Sequence, residues 1–180
     1  VYDAIKNIQI IQLSNNGNSI NFAPGVGVPT INGGTGDDFI YDSGANTINL
    51  GSGNDTVIAS YGNDVINGGK GNQTFYSLGG GGNHINAGIG SSNTFYLGAG
   101  KDTVTGASGI DTFIYSGSEN GLFDTITNFA SGVDKFDFTA LAEGKSVSFL
   151  GNQSNFAQLS GLLAVKSASL QVVYQQDSHI

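Results

Sequence analysis

At 180 residues the chain can bury one good core or two small ones, but 29 glycines and 11% charged residues set it apart from an ordinary globular composition. The formal charge of −8, carried without any arginine, disfavours nucleic acid or an anionic membrane as a partner and suggests a bound cation. Cysteine is absent, which excludes disulfides and thiolate metal sites, and no apolar run reaches the roughly 18 residues of a membrane span.

The chain opens VYDAIKNIQI, without the basic and apolar regions of a signal peptide. It starts and stops mid-pattern and is expected to be a piece of a longer protein. Ile11, Ile20 and Ile31 recur at intervals close to those that follow, with Asn18 and Pro29 where later copies carry an acid. Residues 1–30 are therefore expected to form degenerate first turns of a solenoid.

From Ile31 a nine-residue pattern takes over, with GGTGDDFIY, LGSGNDTVI, LGAGKDTVT and GASGIDTFI as its best copies. The apolar eighth position falls at Ile40, Ile48, Val57, Ile66, Phe75, Ile85, Phe95, Val104 and Phe113, spaced 8, 9, 9, 9, 10, 10, 9 and 9 residues apart. The glycine-rich half of each copy reads as a turn, because glycine tolerates positive φ and lets backbone carbonyls approach an ion. The other half reads as a three-residue strand with its middle side chain inward. So short a strand cannot bury its apolar face alone, so the copies must stack into a coil, two per turn, with two parallel sheets facing each other.

Alternate copies then share a sheet. One sheet turns Ile40, Val57, Phe75, Phe95 and Phe113 inward, and the other Ile48, Ile66, Ile85 and Val104. The outward ninth positions, not used to set this register, sort cleanly: Tyr41, Ile58, Tyr76, Tyr96 and Ile114 on the first sheet, Asn49, Asn67, Asn86 and Thr105 on the second. The tyrosine and isoleucine column, beside Thr56, Thr74, Thr94 and Thr112, is expected to lie under terminal segments or a partner, because an exposed apolar ladder marks a contact. The fold class predicted is all-β, a right-handed parallel β-roll over 31–114, closed by a small β-rich segment.

After Tyr115 the glycine pattern ends. FDTITNF, KFDFTAL, KSVSFL and SLQVVY read as strands and SNFAQLSGLL as a short helix opened by Ser154, so 115–180 is expected to cap the open end of the solenoid. The chain holds no HExxH, GxSxG or GxxxxGK[ST] motif. His84 and His179 lie far apart, and the glycine run at 79–84 keeps phase with the repeats and opens no helix, so catalysis is not expected here.

The nonapeptides, followed by DTITNFASGVDKFDFTAL, resemble the RTX β-roll and adjoining C-terminal module of type I-secreted bacterial proteins, over about residues 31–141. Serralysin-type proteases, RTX lipases, alginate epimerases and large RTX adhesins share this arrangement. The resemblance implies several calcium ions between same-side turns, held by sixth-position aspartates and turn carbonyls. Hard cations want six or more oxygens.

Residue by residue, it implies ligands at Gly33, Thr35, Asp37 and Asp38 in one turn and Ser52, Asn54 and Asp55 in the next, with Asp64, Asp102 and Asp111 at other sixth positions. Asn46, Gln73, Asn83 and Asn93 take that position elsewhere, so Asp38–Asp55 is the expected doubly acidic pair, and some ions should be missing or weak. Glu119 and Asp124 resemble an acidic pair binding a further calcium at the end of the roll. Asp134 and Asp137 are expected to cap turns and strands.

The implied function is that of a non-catalytic module, secreted to the exterior or surface of a Gram-negative bacterium. It would fold on calcium after export, with the type I secretion apparatus a partner of the parent protein. The alternatives are an adhesion module with a partner on the Tyr41, Tyr76 and Tyr96 face, and a fragment of a secreted protease, lipase or epimerase.

Overall fold

The computed structural model describes residues 8–22, 30–90, 92–115, 124–130 and 132–137, together with the backbone of 146–150 and 169–174. The expected three-residue strands are present, and they build two sheets. The larger has the order β1 (Ile10–Gln12), β3 (Thr30–Gly34), β5 (Thr47–Gly51), β7 (Val65–Asn67), β9 (His84–Asn86), β11 (Thr103–Thr105), β13 (Thr125–Thr127), β16 (Ser169–Tyr174), β15 (Ser146–Leu150). The smaller, read from its far edge, is β2 (Ser19–Asn21), β4 (Phe39–Asp42), β6 (Thr56–Ala59), β8 (Thr74–Ser77), β10 (Ser92–Leu97), β12 (Ile110–Tyr115), β14 (Lys135–Asp137).

Every pairing in both sheets is parallel. From β1 to β14 successive strands alternate between the sheets, which makes a coil with two strands per turn, and no helix occurs among the described residues. The fold is a parallel β-roll.

Coiling does not stop where the glycines do. β13 stacks on β11 through Val104↔Ile126, and β14 on β12 through Phe113↔Phe136. Upstream, Ile11 pairs with Ile31 and Ile20 with Ile40. KSVSFL and SLQVVY supply β15 and β16 at one edge of the larger sheet, while the helix expected after Ser154 lies outside the described residues.

Between the sheets run two apolar columns. Ile31, Ile48, Ile66, Ile85, Val104 and Ile126 face Ile40, Val57, Phe75, Phe95 and Phe113, all at 0–1% exposure. The phenylalanines stack along the coil axis, with centroids 5.0 Å apart for Phe75–Phe95 and 4.8 Å for Phe95–Phe113. The near-parallel rings follow from the strand register, which places identical side chains one above another.

A further buried column comes from the first position of alternate repeats, where the pattern leads one to expect glycine. Asp42, Ala59, Ser77, Leu97 and Tyr115 lie in register and are all buried. Sequence reading placed the core at the eighth position alone and missed this one.

The outward columns lie on the sheets expected, but the tyrosine column is half-buried rather than covered. Part of its shielding is internal, since Tyr76 stacks on Tyr96 at 4.3 Å. On the other sheet Asn67 and Asn86 are exposed and Asn49 half-buried, with Asn67 donating to Asn49 Oδ1 at 2.8 Å and Asn49 to Asn32 Oδ1 at 2.9 Å.

Phe95, stacked on both sides and 0% exposed, should be among the most sensitive core positions. Phe95→Ala is expected to lose about 3–5 kcal/mol of unfolding free energy in denaturant titrations, against under about 1 kcal/mol for half-buried Thr94→Ala on the same strand. Equal losses would contradict the packing described.

Candidate metal sites

The coil has two edges, formed by the turns that carry the chain from one sheet to the other. Close stacking of these turns depends on glycine. Gly51 and Gly69 have φ of +88° and +86°, and a Cβ on either would collide with the carbonyl oxygen of the glycine one coil earlier, Gly34 and Gly51 respectively. Without that Cβ the turns hydrogen-bond directly: Ser52 N–H donates to Gly34 O at 2.9 Å and Lys70 N–H to Gly51 O at 2.7 Å.

The sixth position closes the edges. On the first edge Asn18 N–H donates to Asp38 Oδ1, Asp38 N–H to Asp55 Oδ1, Asp55 N–H to Gln73 Oε1 and Gln73 N–H to Asn93 Oδ1, at 2.8–2.9 Å. Asp111 N–H continues the series to Asp134 Oδ1 at 2.9 Å. On the second edge Asn46, Asp64, Asn83 and Asp102 donate in turn to Asp64, Asn83, Asp102 and Asp124, also at 2.8–2.9 Å.

From Asn18 to Asp111, with the exception of Asn93, these backbone N–H groups thus meet a side-chain oxygen one coil ahead. A buried N–H must find an acceptor, and Asp, Asn and Gln each offer a carbonyl-type oxygen at the required reach. The exposed fifth position runs the opposite way: Asn54 N–H donates back to Asp37 Oδ1 at 2.7 Å, and Asn72 N–H to Asn54 Oδ1 at 2.9 Å.

These ladders revise the pairing expected from sequence. Besides Asp38–Asp55, they couple Asp102 with Asp124 and Asp111 with Asp134. The later pairs were hidden because the stretches before Asp124 and Asp134 lack the double glycine that opens a repeat, although Gly132 keeps its fourth-position place before Asp134. Asp124 lies against Asp102, and Glu119 is outside the described residues. Asp134 acts as a cap through its second oxygen, which accepts Ala130 N–H at 2.7 Å. Asp42, also missed, accepts the Asn46 side-chain amide on both oxygens, at 2.7 and 2.8 Å, while Asn46 N–H goes to Asp64.

What separates the aspartates is the second oxygen. Asp102 Oδ2 accepts the Ser77 hydroxyl at 2.6 Å, and Asp111 Oδ2 accepts Ala107 N–H at 2.6 Å. Asp38 Oδ2, Asp55 Oδ2, Asp64 Oδ2 and Asp124 Oδ2 are buried with no hydrogen-bond partner. Asp38 Oδ2 lies 2.8 Å from where a Cβ on Gly33 would stand, so an alanine there would fill the cradle. Thr35 is tied to the previous coil by a 3.2 Å bond from its hydroxyl to Asn15 O.

A buried carboxylate oxygen without a donor is costly. Burial, opposed by the Asp38 N–H and assisted by the charges of Asp38 and Asp37, pushes the Asp55 carboxyl up to about 6. Asp64 rises to about 7 through burial and the adjoining Asp42 carboxylate, against the Asn46 N–H bond. Asp124 also reaches about 7, through burial and the charge of Asp102, with the Asp102 N–H and the Tyr115 side chain pulling the other way.

The donor set is all oxygen, with free carboxylate arms beside stacked carbonyls, which fits a hard cation such as calcium. No three His, Cys, Asp or Glu side chains cluster around a common point among the described residues, so backbone carbonyls would have to supply the remaining ligands. No helix among the described residues is long and apolar enough to cross a membrane.

Fold and edges together define a class: a parallel β-roll with oxygen-lined turns. Residues 30–46, 41–74 and 78–113 match the RTX calcium-binding nonapeptide repeat, in four copies. This stretch of the chain is an RTX β-roll, a non-catalytic calcium-binding module. No curated protein matches the chain.

The raised carboxyls set a pH dependence. Folded Asp55 and Asp64 hold protons to about 6 and about 7, above an ordinary 3.8, so without calcium they stabilise the fold at low pH and lose that contribution as pH rises through 6–7. In chelator the melting temperature should fall between about pH 4 and about pH 7, and saturating calcium should flatten or reverse the slope by binding the ionised form. A chelated protein that gains stability across this window would contradict the assignment.

Proposed function

We propose that this chain is the calcium-dependent folding module of a larger protein, carried out of a Gram-negative bacterium by type I secretion and folded by calcium outside the cell. The observation that carries the reading is the set of buried, donorless oxygens on Asp38, Asp55 and Asp64. An ion that binds the folded roll and not the unfolded chain adds its binding free energy to folding. A chain short of calcium would stay loose enough for export, and one meeting about millimolar calcium, the range of extracellular modules, would fold.

The tightest ion is assigned to the gap between Asp38 and Asp55, with Gly33, Thr35, Asp37, Ser52 and Asn54 as surrounding turn residues. Asp64 and Asp124, each with a donorless oxygen, are the further acidic candidates together with Glu119, ahead of Asp102 and Asp111, whose oxygens already take protein donors. The half-buried tyrosine column supports a second reading, an adhesion module whose partner takes the Tyr41, Tyr76 and Tyr96 face. A parent protease, lipase or epimerase would carry its chemistry in another part of the protein.

Calcium titration followed by circular dichroism should show a cooperative gain of β-signal and melting temperature, and no change across about millimolar calcium would contradict the reading. In calorimetry, replacing Asp38 and Asp55 together by alanine should abolish the tightest binding step. Asn93→Ala should leave that step in place while lowering stability, because it removes the acceptor of Gln73 N–H.

A further inference from the structure

The donorless oxygens are not spread evenly along the roll. On Asp38, Asp55 and Asp64 they belong to the earlier coils and on Asp124 to a late one, whereas between them, from Gln73 to Asp111, the sixth-position oxygens and the groups around them find partners within the protein. Most of these oxygens accept backbone N–H groups, and the amide side chains among them turn their NH2 arms to other acceptors nearby.

Gln73 is the clearest case. Its Oε1 accepts Asp55 N–H at 2.8 Å, and a backbone N–H can be met there only by the oxygen of the amide. The other arm is therefore NH2 by necessity. It donates to Gly53 O at 3.0 Å and Lys70 O at 3.2 Å, one carbonyl from each of two successive turns. Glutamine is one methylene longer than aspartate or asparagine, which carries this NH2 in among the turn carbonyls that a cation would otherwise gather.

The same logic fixes the neighbours. Asn93 Oδ1 accepts Gln73 N–H, so its Nδ2 is the arm that donates to Asp111 Oδ1 at 2.9 Å. Asn83 Oδ1 accepts Asp64 N–H, so its Nδ2 donates to Ser77 Oγ at 2.7 Å. Ser77 in turn donates to Asp102 Oδ2 at 2.6 Å, and Asp102 Oδ1 accepts Asn83 N–H. Each aspartate here has both oxygens filled by protein donors.

We infer that in the coils from Gln73 to Asp111 the side-chain amides of Gln73, Asn83 and Asn93 stand in for calcium, so that ions bind the earlier coils around Asp38, Asp55 and Asp64 and the middle of the roll is closed without them. The inference rests on the calcium reading above for the earlier coils, but not for the middle ones. Between them these NH2 groups take over two of the ion's tasks without requiring an ion from solution: that of Gln73 contacts turn carbonyls, that of Asn93 partners a carboxylate oxygen, and that of Asn83 holds the Ser77 hydroxyl that partners Asp102. The roll then has a calcium-responsive part joined to a calcium-indifferent part by one continuous sheet pair.

Hydrogen exchange on the full chain, in chelator and in calcium, tests this. Calcium should slow exchange at least about tenfold in β4 to β7 and change β8 to β11 by less than about twofold. Gln73→Asp should take up an additional calcium ion in native mass spectrometry and make β8 and β10 calcium-responsive. A calcium response spread evenly over β4 to β11 in the natural sequence, or Gln73→Asp with an unchanged ion count and exchange pattern, would overturn the inference. If the natural chain binds no calcium, the proposed function fails. The inference is then read in chelator from Gln73→Leu, which should lose protection in β8 and β10. Unchanged protection there would sink it.

Discussion

The roll depends on one repeated contact: the backbone N–H of a sixth-position residue donating to the sixth-position side chain a coil ahead. Parallel strands already hold the coils about 4.8 Å apart within the sheets, but the sixth-position residues lie outside both those ladders and the turn contacts made at the glycines, such as Ser52 N–H to Gly34 O. Their N–H groups are buried at the edges, and an unpaired buried donor costs about as much as a lost hydrogen bond, of order 1–3 kcal/mol. One side-chain oxygen per half-turn removes that cost. The second edge runs without a break from Asn46 to Asp124, and the first from Asn18 to Asn93 before resuming between Asp111 and Asp134.

That contact also explains why aspartate, asparagine and glutamine share the position here. All three satisfy the ladder with one oxygen and differ in what the other arm brings. An aspartate brings a second oxygen that needs a cation, a proton or a protein donor, whereas an amide brings a donor that needs an acceptor. The chemistry of each gap follows from that choice, and the repeat can lose its ion site without losing its coil. Much of the acidic charge sits in these gaps, with Asp37 beside them, where a counter-ion would relieve repulsion between neighbouring carboxylates.

Much of the architecture was legible from the sequence because two physical periods coincide in it. The eighth-position residues must face inward, and their spacing alone fixed the register seen in Ile40↔Val57 and Ile48↔Ile66. The separation of Tyr76 and Tyr96 from Asn67 and Asn86 was readable for the same reason. The continuation through Asp124 and Asp134 was harder, since attention to glycine hides it. Yet the three-residue signature survives as Asp124–Thr125–Ile126 and Asp134–Lys135–Phe136, so a search on that signature finds both. Asp42 and Ser77 could not be found in this way. Their importance lies in contacts with Asn46, and with Asn83 and Asp102, which the nonapeptide pattern does not encode.

The central claim, that a sixth-position side chain gives one oxygen to the ladder and keeps the other for an ion only when it is an aspartate without a protein donor, is tested most directly by anomalous diffraction from crystals grown in calcium. The account predicts an ion bonded to Asp38 Oδ2 and Asp55 Oδ2 and none beside the Gln73 amide. An ion seated among the Gly53 and Lys70 carbonyls with the Gln73 side chain displaced, or an empty gap between Asp38 and Asp55, would contradict it.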